Sequence, residues 1–291
     1  MPRKLYLGPL TDSRRWDHVT LRAGDAIVVT PPKCGTTWMQ TIVALLLSGD
    51  PDVVTEPVMR MPWIDVRFRE IEEVAARAEA IPGRRCLKSH TPLDGLPEGP
   101  GQFICVFRHP LDAHFSFRHH LVNMQLRHLF AHWYPEEDPD GMTFRRFLDG
   151  GAEGWDGDAM ALAHVLQHYR CARAAEARGN VALFHYADMS RDLPGTFDRV
   201  AALLGVAHPP EQMERLMAVA SFDNMRSKAE RYAPSGGMGD MLKDEDFFES
   251  GSSGKWAGRL SDEELAAYDA VMDAALSTQD RAWLEYGEGG A

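Results

Sequence analysis

The sequence predicts an α/β protein with three layers, in which a central parallel sheet is flanked by helices. Short apolar stretches rich in β-branched residues alternate along the chain with longer segments of helical pattern, which is typical of a parallel sheet wrapped by helices. Polar residues also follow the predicted strands directly: Lys33, His90, Arg108 and Tyr186. Since ligands of such sheets bind outside the carboxyl ends of the strands, we expect one site at that edge.

The composition fits one large domain, which we expect to span residues 1–291. The chain is 44% hydrophobic and acidic, with 31 Lys and Arg against 43 Asp and Glu. This balance argues against a protein that coats nucleic acid, so an anion site must be a local basic pocket. The N-terminal region lacks the apolar run of a signal peptide, and no apolar run is long enough to span a membrane. None of the four cysteines forms a CxxC pair, which favours reduced thiols in a cytoplasmic protein.

The first predicted strand, residues 25–30, is apolar and β-branched and begins after a Gly-Asp turn. We expect a shorter strand before it, over residues 19–22. A helix with a strongly apolar body follows at residues 39–47. Between strand and helix lies the sequence PPKCGTTW, which we call the lysine loop (residues 31–38). The order places a tight loop at the start of a helix.

The lysine loop has the chemistry of an anion site. A helix start offers unpaired N–H groups and a partial positive charge, to which Lys33 adds a full charge and Thr36 and Thr37 add hydroxyl donors. The loop is not the ATP-binding GxxxxGK[ST] motif, because its lysine precedes the glycine and no acidic residue ends the next strand as a magnesium ligand. An ordinary strand-to-helix turn that happens to hold a lysine is the alternative at this point.

Three later segments are short, apolar and followed by a helical pattern, and we interpret them as parallel strands: residues 85–88, 103–107 and 181–185. The main helices expected around them are residues 69–80, 112 to about 124, 158–178 and about 193–204. Residues 125–157 mix Gly, Pro, Asp and aromatic side chains, and a loop this long in a compact domain is usually functional. We therefore expect an irregular excursion over the site there.

Several segments together resemble the cytosolic-type sulfotransferases, which move a sulfuryl group from 3′-phosphoadenosine 5′-phosphosulfate (PAPS) to an acceptor. TPPKCGTTW resembles that family's YPKSGTTW signature, and KSHTPLDGLP resembles its KTHLP segment. VFRHPLDAHFSFRHH is similar to a signature in which a serine follows an arginine by eight residues. FHYADM, ASFDNM and FFESGSSGKW resemble FYEDM, TSFKEM and FMRKGxxGDW. HTPLDGL and NVALFHYAD are closer still to a mycobacterial branch described as glycolipid sulfotransferases.

The resemblance implies a P-loop NTPase-like sulfotransferase fold, PAPS as co-substrate, 3′,5′-adenosine bisphosphate (PAP) as product and no metal. Lys33 would stabilise the charge that builds on the oxygen bridging sulfur and phosphorus. His90 would be the general base, since among twelve histidines it alone lies directly after a predicted strand with a lysine two residues before it. Lys88 would orient His90 or contact the sulfate, unless it is a surface lysine at a strand end.

The resemblance also implies a donor-binding site and a role for several of its residues. Arg108 and Ser116 would hold the 3′-phosphate, and Ser116 would also contact Lys33 and so join Lys33, Lys88 and His90 as a catalytic residue. Trp38 and Phe222 would sandwich adenine and Tyr186 would bond an adenine nitrogen, unless these are core aromatics. The implied donor-binding residues are Lys33, Cys34, Gly35, Thr36, Thr37, Trp38, Arg108, Ser116, Tyr186, Ser221, Phe222, Met225 and Gly251.

The chain departs from the family pattern in three places. Glu249 and Ser250 stand where the family has Arg-Lys for the 3′-phosphate; a carboxylate there repels phosphate, and Lys255 or Arg259 would have to compensate. Ala220 replaces a threonine that usually bonds adenine. The family's KxxxTVxxxE dimer motif is not readable after Trp256, so we do not expect that dimer, and the oligomeric state stays open.

The acceptor is the least determined part. An apolar pocket would favour a small-molecule, glycolipid or phenolic hydroxyl, and its expected lining is Met61, Trp63, Phe68, Phe115 and residues 125–157. A histidine cluster lies nearby: His109, His114, His119, His120, His128 and His132. Its pair His128 and His132 has i,i+4 spacing, but no carboxylate or cysteine completes a zinc pattern, so we interpret most of the cluster as acceptor-side or surface residues. An ATP-dependent small-molecule kinase and a non-catalytic binder of PAP or PAPS are the alternative functions.

Overall fold

The structure is a computed structural model that describes residues 3–8, 10–53, 61–123, 142–150, 160–232, 247 and 251–289. The described residues form one parallel sheet in the order β2-β1-β3-β4. Its strands are β1 (Ala26–Val29), β2 (Cys86–Ser89), β3 (Gln102–Phe107) and β4 (Val181–His185). The four strands predicted from the apolar stretches are confirmed to within a residue or two.

The helices lie between and after these strands. In chain order they are α1 (Thr36–Ser48), α2 (Ile71–Ala80), α3 (Pro110–Asn123), α4 (Met142–Asp149), α5 (Leu162–Ala175), α6 (Tyr186–Arg191), α7 (Leu193–Leu204), α8 (Pro210–Ala220), α9 (Phe222–Ser227), α10 (Ala229–Tyr232), α11 (Asp262–Ala275) and α12 (Thr278–Tyr286). Short 3₁₀ turns occupy Ser13–His18, Leu93–Gly95 and Glu176–Arg178. No helix within the described ranges has both the length and the apolar character needed to cross a bilayer.

The sheet separates two apolar layers because successive strand residues point to opposite faces. In β1, Ile27 and Val29 pack in one layer with α5, α11 and α12. Ala26 and Val28 pack in the other layer with α1, α7 and α8. This arrangement confirms the predicted three-layer architecture of a parallel sheet flanked by helices.

The strand register brings the residues that follow the strands together. Val29 lies opposite Ser89 across the β1–β2 pair, so Thr30 and His90 leave the sheet side by side. Phe107 lies opposite His185 across the β3–β4 pair, so Arg108 and Tyr186 also leave side by side. The predicted convergence at the carboxyl edge of the sheet is therefore built by parallel pairing.

The strand predicted over residues 19–22 is wrong. The 3₁₀ turn Ser13–His18 precedes this segment, and Asp12 caps the turn by accepting a hydrogen bond from the backbone N–H of Arg14. The segment's backbone groups bond side chains: the carbonyl of Thr20 accepts from Arg85, and the N–H of Arg22 donates to Asp25. These contacts replace the ladder that a strand would need.

Two other predictions need correction. The helix predicted over residues 158–178 begins at Leu162, and its last turn is the 3₁₀ turn Glu176–Arg178. The irregular excursion predicted over 125–157 falls mostly outside the described residues, but within it α4 is a helix that buries Phe144 and Phe147. The apolar spacing of that short stretch is helical, which the mixed composition around it obscured.

Candidate active site

The lysine loop connects β1 to the N-terminus of α1. Gly35 is the N-cap of α1, with φ at 106°, and no side chain caps the helix. Lys33 also has a positive φ of 62°, a conformation that costs a non-glycine residue about 1–2 kcal/mol. Together with the uncapped helix start, this loop leaves backbone N–H groups available at the N-terminus of α1, which suits an anion. The geometry therefore matches the anion loop that the sequence predicts.

The side chains of the lysine loop divide between the core and the site edge. Thr36 Oγ1 lies 2.6 Å from Thr30 Oγ1, which ties the helix start to the strand end. Thr37 is half-buried beside it. The Cys34 thiol is fully buried in the apolar layer, and burial raises its pKa to about 12. Only the backbone of Cys34 can then face an anion, because its thiol packs inward.

The ammonium group of Lys33 lies 4.1 Å from the ring centroid of Phe247. The same ring meets the imidazole of His120 edge to face, with 5.8 Å between centroids. A cation over an aromatic face is stabilised by the ring quadrupole. These contacts bring the lysine of the loop and a histidine of α3 to one aromatic ring.

His90 leaves β2 beside the lysine loop, and two contacts to its ring and one to its backbone hold it. Nδ1 lies 2.7 Å from the carbonyl oxygen of Thr30. The ring packs against Trp63 at 4.9 Å between centroids. Its backbone carbonyl oxygen accepts a 3.0 Å hydrogen bond from His168 Nε2. The imidazole is thereby fixed in orientation next to the anion loop.

These contacts decide which nitrogen of His90 can accept a proton. A carbonyl oxygen only accepts hydrogen bonds, so Nδ1 carries the proton toward Thr30 and Nε2 keeps its lone pair. Burial lowers the pKa of His90 well below the usual 6.5, and the positive charges of Lys88 and Lys33 act in the same direction. His90 is therefore neutral at physiological pH and presents Nε2 as a base.

Asp65 fixes the turn that carries His90. Its Oδ2 accepts hydrogen bonds from Ser89 Oγ (2.7 Å), the backbone N–H of His90 (3.0 Å), and both the N–H and the hydroxyl of Thr91 (2.8 and 2.6 Å). The carboxyl group is fully buried, and burial raises its pKa. No sequence motif singles out Asp65, because its partners lie more than twenty residues away.

Lys88 precedes His90 by two residues in β2. Its ammonium group lies 4.0 Å from the ring centroid of Trp63. Burial lowers the pKa of Lys88 to about 8, and the carboxylate of Asp65 opposes that shift. Lys88 is therefore half-buried beside the His90 ring rather than fully solvated, and its role at the site stays a prediction.

Arg108 follows β3 and is buried. Its Nη2 donates a 2.8 Å hydrogen bond to the carbonyl of Ser252, and its Nη1 lies 3.4 Å from the carbonyl of Lys33. The guanidinium lies over the ring of Tyr186, 4.4 Å from the centroid. Within the described part of the chain, the buried Nε has no hydrogen-bond partner. A planar cation with a spare buried donor is suited to a phosphate.

Helix α3 presents three polar residues at four-residue spacing, and such residues share one helix face. Asp112 accepts hydrogen bonds from the backbone N–H groups of Gly254 (2.9 Å) and Lys255 (2.7 Å). Ser116 is buried one turn later; its predicted contact with Lys33 and its phosphate role stay predictions. His120 comes next, and its buried Nδ1 has no hydrogen-bond partner among the described residues.

His120 belongs to the site, although the sequence placed it only in a general histidine cluster. Burial lowers its pKa well below 6.5, and the positive charges of Lys33 and Lys88 add to the effect. Its spacing from Asp112 and Ser116 is the sequence signal that identifies it. His128 and His132, the pair with possible zinc spacing, lie outside the described residues. The described residues contain no group of three or more His, Cys, Asp or Glu side chains that could hold a metal ion.

The residues predicted to bind adenine lie in contact with one another. The Trp38 ring meets the Tyr186 ring edge to face at 5.4 Å, and its indole N–H donates to the carbonyl of Ala220. Tyr186 donates a 3.3 Å hydrogen bond to the carbonyl of Gly251. Gly251, with φ at 64°, is so close to Phe222 that an added Cβ would lie 2.6 Å from the ring. Four segments distant in sequence thus form one aromatic wall.

Two further predicted residues support this wall. Ser221 is the N-cap of α9 and accepts a hydrogen bond from the N–H of Asn224. Met225 is buried in the apolar layer on the α1 side of the sheet. Their contact with a nucleotide stays a prediction. Ala220, which replaces the expected threonine, contributes its carbonyl oxygen to Trp38 instead.

The late departure from the family motif cannot be placed, since Glu249 and Ser250 lie outside the described residues. Of the two candidates to compensate, Arg259 is exposed and lies over Phe115, 5.3 Å from the ring centroid. Lys255 is partly buried and its backbone is anchored by Asp112. Anchoring places Lys255 near the end of β3, so it is the better placed of the two.

The expected acceptor residues are partly brought together. Trp63 joins Phe68, with 5.8 Å between ring centroids, to His90. Phe68 is 53% exposed at the outer end of this row. Met61 is buried in the apolar layer beside α1, so its side chain is part of the core and its place in the predicted pocket is not supported. Phe115 contacts Arg259 and His114.

Comparison with known proteins identifies similar chains. A model of the sulfotransferase domain matches residues 23–280. The chain is 33% identical to a glycolipid sulfotransferase of Mycobacterium bovis, and the alignment covers 99% of this chain and 96% of that protein. Among solved structures, a mouse sulfotransferase complexed with PAP gives a TM-score of 0.69 at 19% identity, covering 91% of this chain and 88% of its own.

A second solved structure is retinol dehydratase in complex with androsterone and inactive cofactor PAP. It gives a TM-score of 0.72 at 19% identity, and the match covers 95% of this chain and 90% of that one. At this identity both structural matches report on the fold alone.

Proposed function

The chain belongs to the sulfotransferase family, and we propose that this sulfotransferase moves a sulfuryl group from PAPS to a hydroxyl of a glycolipid or another lipid-like molecule. The domain match and the relative that is 33% identical support the activity and the donor, and they confirm the resemblance seen in the motifs. The observation that carries the residue assignment is the 2.7 Å contact between His90 Nδ1 and Thr30 O. It holds the ring of the base, with Nε2 as the unprotonated nitrogen, against Thr30, the residue that precedes the lysine loop.

The lysine loop fits the sulfated 5′ end of the donor. The uncapped N-terminus of α1 and the positive φ of Lys33 and Gly35 supply N–H groups, and Lys33 supplies the cation. When bound, PAPS provides a sulfuryl group on a phosphate leaving group. Lys33 then stabilises the negative charge that builds on the bridging oxygen, as a preorganised cation does in phosphoryl transfer.

His90 acts on the acceptor. Its Nε2 takes the proton of the acceptor hydroxyl while that oxygen forms its bond to sulfur and the bond from sulfur to the bridging oxygen breaks. The Nδ1–H bond to Thr30 holds the ring in the tautomer needed for this step. General base catalysis of this kind contributes about 10²–10⁴-fold. Lys88, half-buried beside the ring, provides positive charge for the sulfuryl oxygens.

The far end of the donor fits Arg108. Its buried Nε lacks a partner among the described residues, and Nη1 and Nη2 bond backbone carbonyls that a phosphate can replace. Tyr186, Trp38 and Phe222 offer aromatic surface next to this cation for adenine. The residues present therefore fit a nucleotide that carries a second phosphate.

The acceptor proposal rests on the glycolipid sulfotransferase relative and on the aromatic row beside His90. Trp63 and Phe68 lead from the base outward, and apolar aromatics favour the lipid-like part of an acceptor. His120 contacts the same Phe247 ring as Lys33, and its Nδ1, which has no partner among the described residues, is available for one hydrogen bond to the acceptor's polar part.

A panel of acceptors tests the proposal. The purified protein is incubated with PAPS and glycolipids, phenols, sterols or sulfate-free polysaccharides, and products are scored by the mass gain of one sulfate. We expect sulfation of glycolipids and other lipid-like alcohols and a thermal shift with PAP in the absence of magnesium. Sulfation confined to polysaccharides would contradict the acceptor proposal, and stabilisation by Mg-ATP alone would contradict the donor assignment.

A further inference from the structure

One rim of the molecule combines exposed apolar side chains with cations. We call it the N-terminal lip and define it as residues 3–8 and 67–69. Three large hydrophobic side chains of this lip are exposed: Leu5 (63%), Leu7 (49%) and Phe68 (53%). Among the described residues only Val122 and Tyr286 are also large, apolar and exposed. The lip thus gathers most of the exposed large apolar side chains at one place.

The two segments of the lip are neighbours in space. The guanidinium of Arg67 donates a 2.5 Å hydrogen bond to the carbonyl of Gly8, and its backbone N–H donates to the carbonyl of Leu10. Thr11 and Val66 form an antiparallel bridge. Within residues 5–8, Tyr6 is buried while the residues on either side of it point outward, so the leucines share the outer face.

Hydrogen bonds to the backbone on both sides of Phe68 hold it in its exposed position. Arg15 donates hydrogen bonds to the carbonyls of Ile64 (3.2 Å) and Arg69 (2.7 Å), one on either side of the loop tip. The carbonyl of Asp65 accepts from the N–H of Asp12. A loop with this many backbone anchors keeps the Phe68 ring in solvent, although burial of an apolar ring is favourable.

The charge of the lip is opposite to that of the chain. The segments 3–8 and 67–69 contain Arg3, Lys4, Arg67 and Arg69 and no Asp or Glu, whereas the whole chain has a net charge of −12. The carboxylates of Asp17 and Glu70 border these segments, and the four cations outnumber them. Arg3 is paired with Asp17, and the guanidinium of Arg69 lies over the Phe68 ring at 5.6 Å. A basic patch on an acidic protein points to a negatively charged partner.

The lip also adjoins the proposed acceptor site. Phe68 contacts Trp63, and Trp63 contacts His90. We infer that the N-terminal lip docks the protein on the surface of a membrane that contains anionic lipids, with Leu5, Leu7 and Phe68 entering the interface. Exposed apolar side chains flanked by basic residues bind such surfaces through buried area and charge together. This inference rests on the proposed lipid-like acceptor, which would reach His90 past Phe68 and Trp63.

Vesicle flotation with the full-length protein tests the inference. We expect the protein to float with vesicles that contain phosphatidylglycerol and much less with phosphatidylcholine alone. Leu5→Ser combined with Leu7→Ser should lower the partition coefficient about tenfold, and Lys4→Glu should lower it several-fold only on the anionic vesicles. Tyr286→Ser and Arg178→Glu are matched controls, because they remove an exposed aromatic and an exposed arginine from other surfaces.

Activity separates this inference from the proposed function. The leucine variant should sulfate a short-chain, water-soluble acceptor at the wild-type rate and lose rate only on the same headgroup carried in vesicles. If the wild type is fully active on the soluble acceptor but does not float with any vesicle, membrane docking by the N-terminal lip is contradicted and the proposed function is not. A sedimentation shift from dimer to monomer in the leucine variant, with flotation unchanged, would show that the lip joins two copies and would also overturn the inference.

Discussion

His90 is the residue whose surroundings determine the chemistry. The carbonyl of Thr30 sets its tautomer, Trp63 and Asp65 set its position, and burial sets its proton affinity. Since its pKa lies well below 6.5, the base is already neutral where an ordinary histidine would still be half protonated. We expect the acid limb of the pH profile of kcat/KM to fall below pH 6.5 for this reason.

Lys88 should set the alkaline limb of the same profile. Its pKa is lowered to about 8, so its positive charge is present below that pH and lost above it. Rates measured in the wild type should therefore decline as the pH rises through about 8. Lys88→Arg keeps a charged group at every accessible pH and should remove the decline. An unchanged alkaline limb in this variant would mean that Lys88 does not assist the sulfuryl group.

Asp65 is a positioning residue, and its two simplest replacements should behave differently. Asp65→Ala removes the acceptor of the His90 backbone N–H and of the Thr91 hydroxyl, and we expect kcat to fall about hundredfold because a misplaced base loses that order of rate. Asp65→Asn retains an acceptor oxygen and should lose less. It also removes the charge that raises the pKa of Lys88, so its alkaline limb should move to lower pH. If Asp65→Asn lowers the stability but leaves the pH profile of kcat/KM unchanged, the role of Asp65 is purely structural.

For single residues, the sequence predicts the site residues that follow strands. It does not predict the residues whose partners lie in distant segments of the chain. Lys33, His90 and Arg108 are predicted because each comes within three residues of the end of a predicted apolar strand. Asp65 is missed because its partners are residues 89–91, and hydrogen bonds between distant segments leave no local pattern. His120 occupies an intermediate position: its four-residue spacing from Ser116 is visible, but the direction of that helix face is known only from the structure.

The register of the parallel strands determines where these residues lie. The pairing of Val29 with Ser89 and of Phe107 with His185 delivers two pairs of functional residues to one edge. The order of apolar segments predicts the strands and their parallel direction. It does not predict that residues 19–22 remain irregular, because that outcome depends on Arg85 and Asp25 taking the backbone groups of the segment.

Gly251 packs closely against the Phe222 ring at the predicted adenine site. Gly251→Ala should lower the affinity for PAP about tenfold or more, since the added Cβ would lie 2.6 Å from the Phe222 ring and a tenfold loss needs only about 1.4 kcal/mol. Isothermal titration calorimetry measures the change. Gly254→Ala is the matched control: that residue also has a positive φ, of 80°, but a Cβ there meets open space. Equal losses in both variants would show that backbone strain alone is responsible.

At the scale of the whole molecule, the sheet divides two apolar layers, and the continuous apolar runs of the short strands are typical of a parallel sheet that is covered on both faces. One buried ion pair joins the layers to the N-terminal segment. Arg85 bonds Asp25 at 3.0 and 2.6 Å, and both side chains are fully buried. Its remaining donors bond the carbonyls of Thr20 and Ala78. This network is invisible in the sequence, where Arg85 is only the start of a strand.

Breaking this pair should cost the fold far more than a neighbouring arginine does. Arg85→Ala leaves a buried, uncompensated carboxylate at Asp25, and we expect a loss of roughly 3–5 kcal/mol in the free energy of unfolding by urea. Arg84→Ala is the control, since Arg84 makes one side-chain hydrogen bond, to the carbonyl of Gly24. A loss below about 1 kcal/mol for Arg85→Ala would mean that the pair is replaceable by solvent.

The central claim is that the lysine loop holds the sulfuryl donor while His90 deprotonates the acceptor. The most direct test is a single-turnover measurement of sulfate transfer by His90→Ala, with PAP affinity measured by calorimetry on the same preparation. We predict that the transfer rate falls by about 10²–10⁴-fold while the affinity for PAP stays within a factor of about two. Transfer at the wild-type rate, with the same PAP affinity, would contradict the claim.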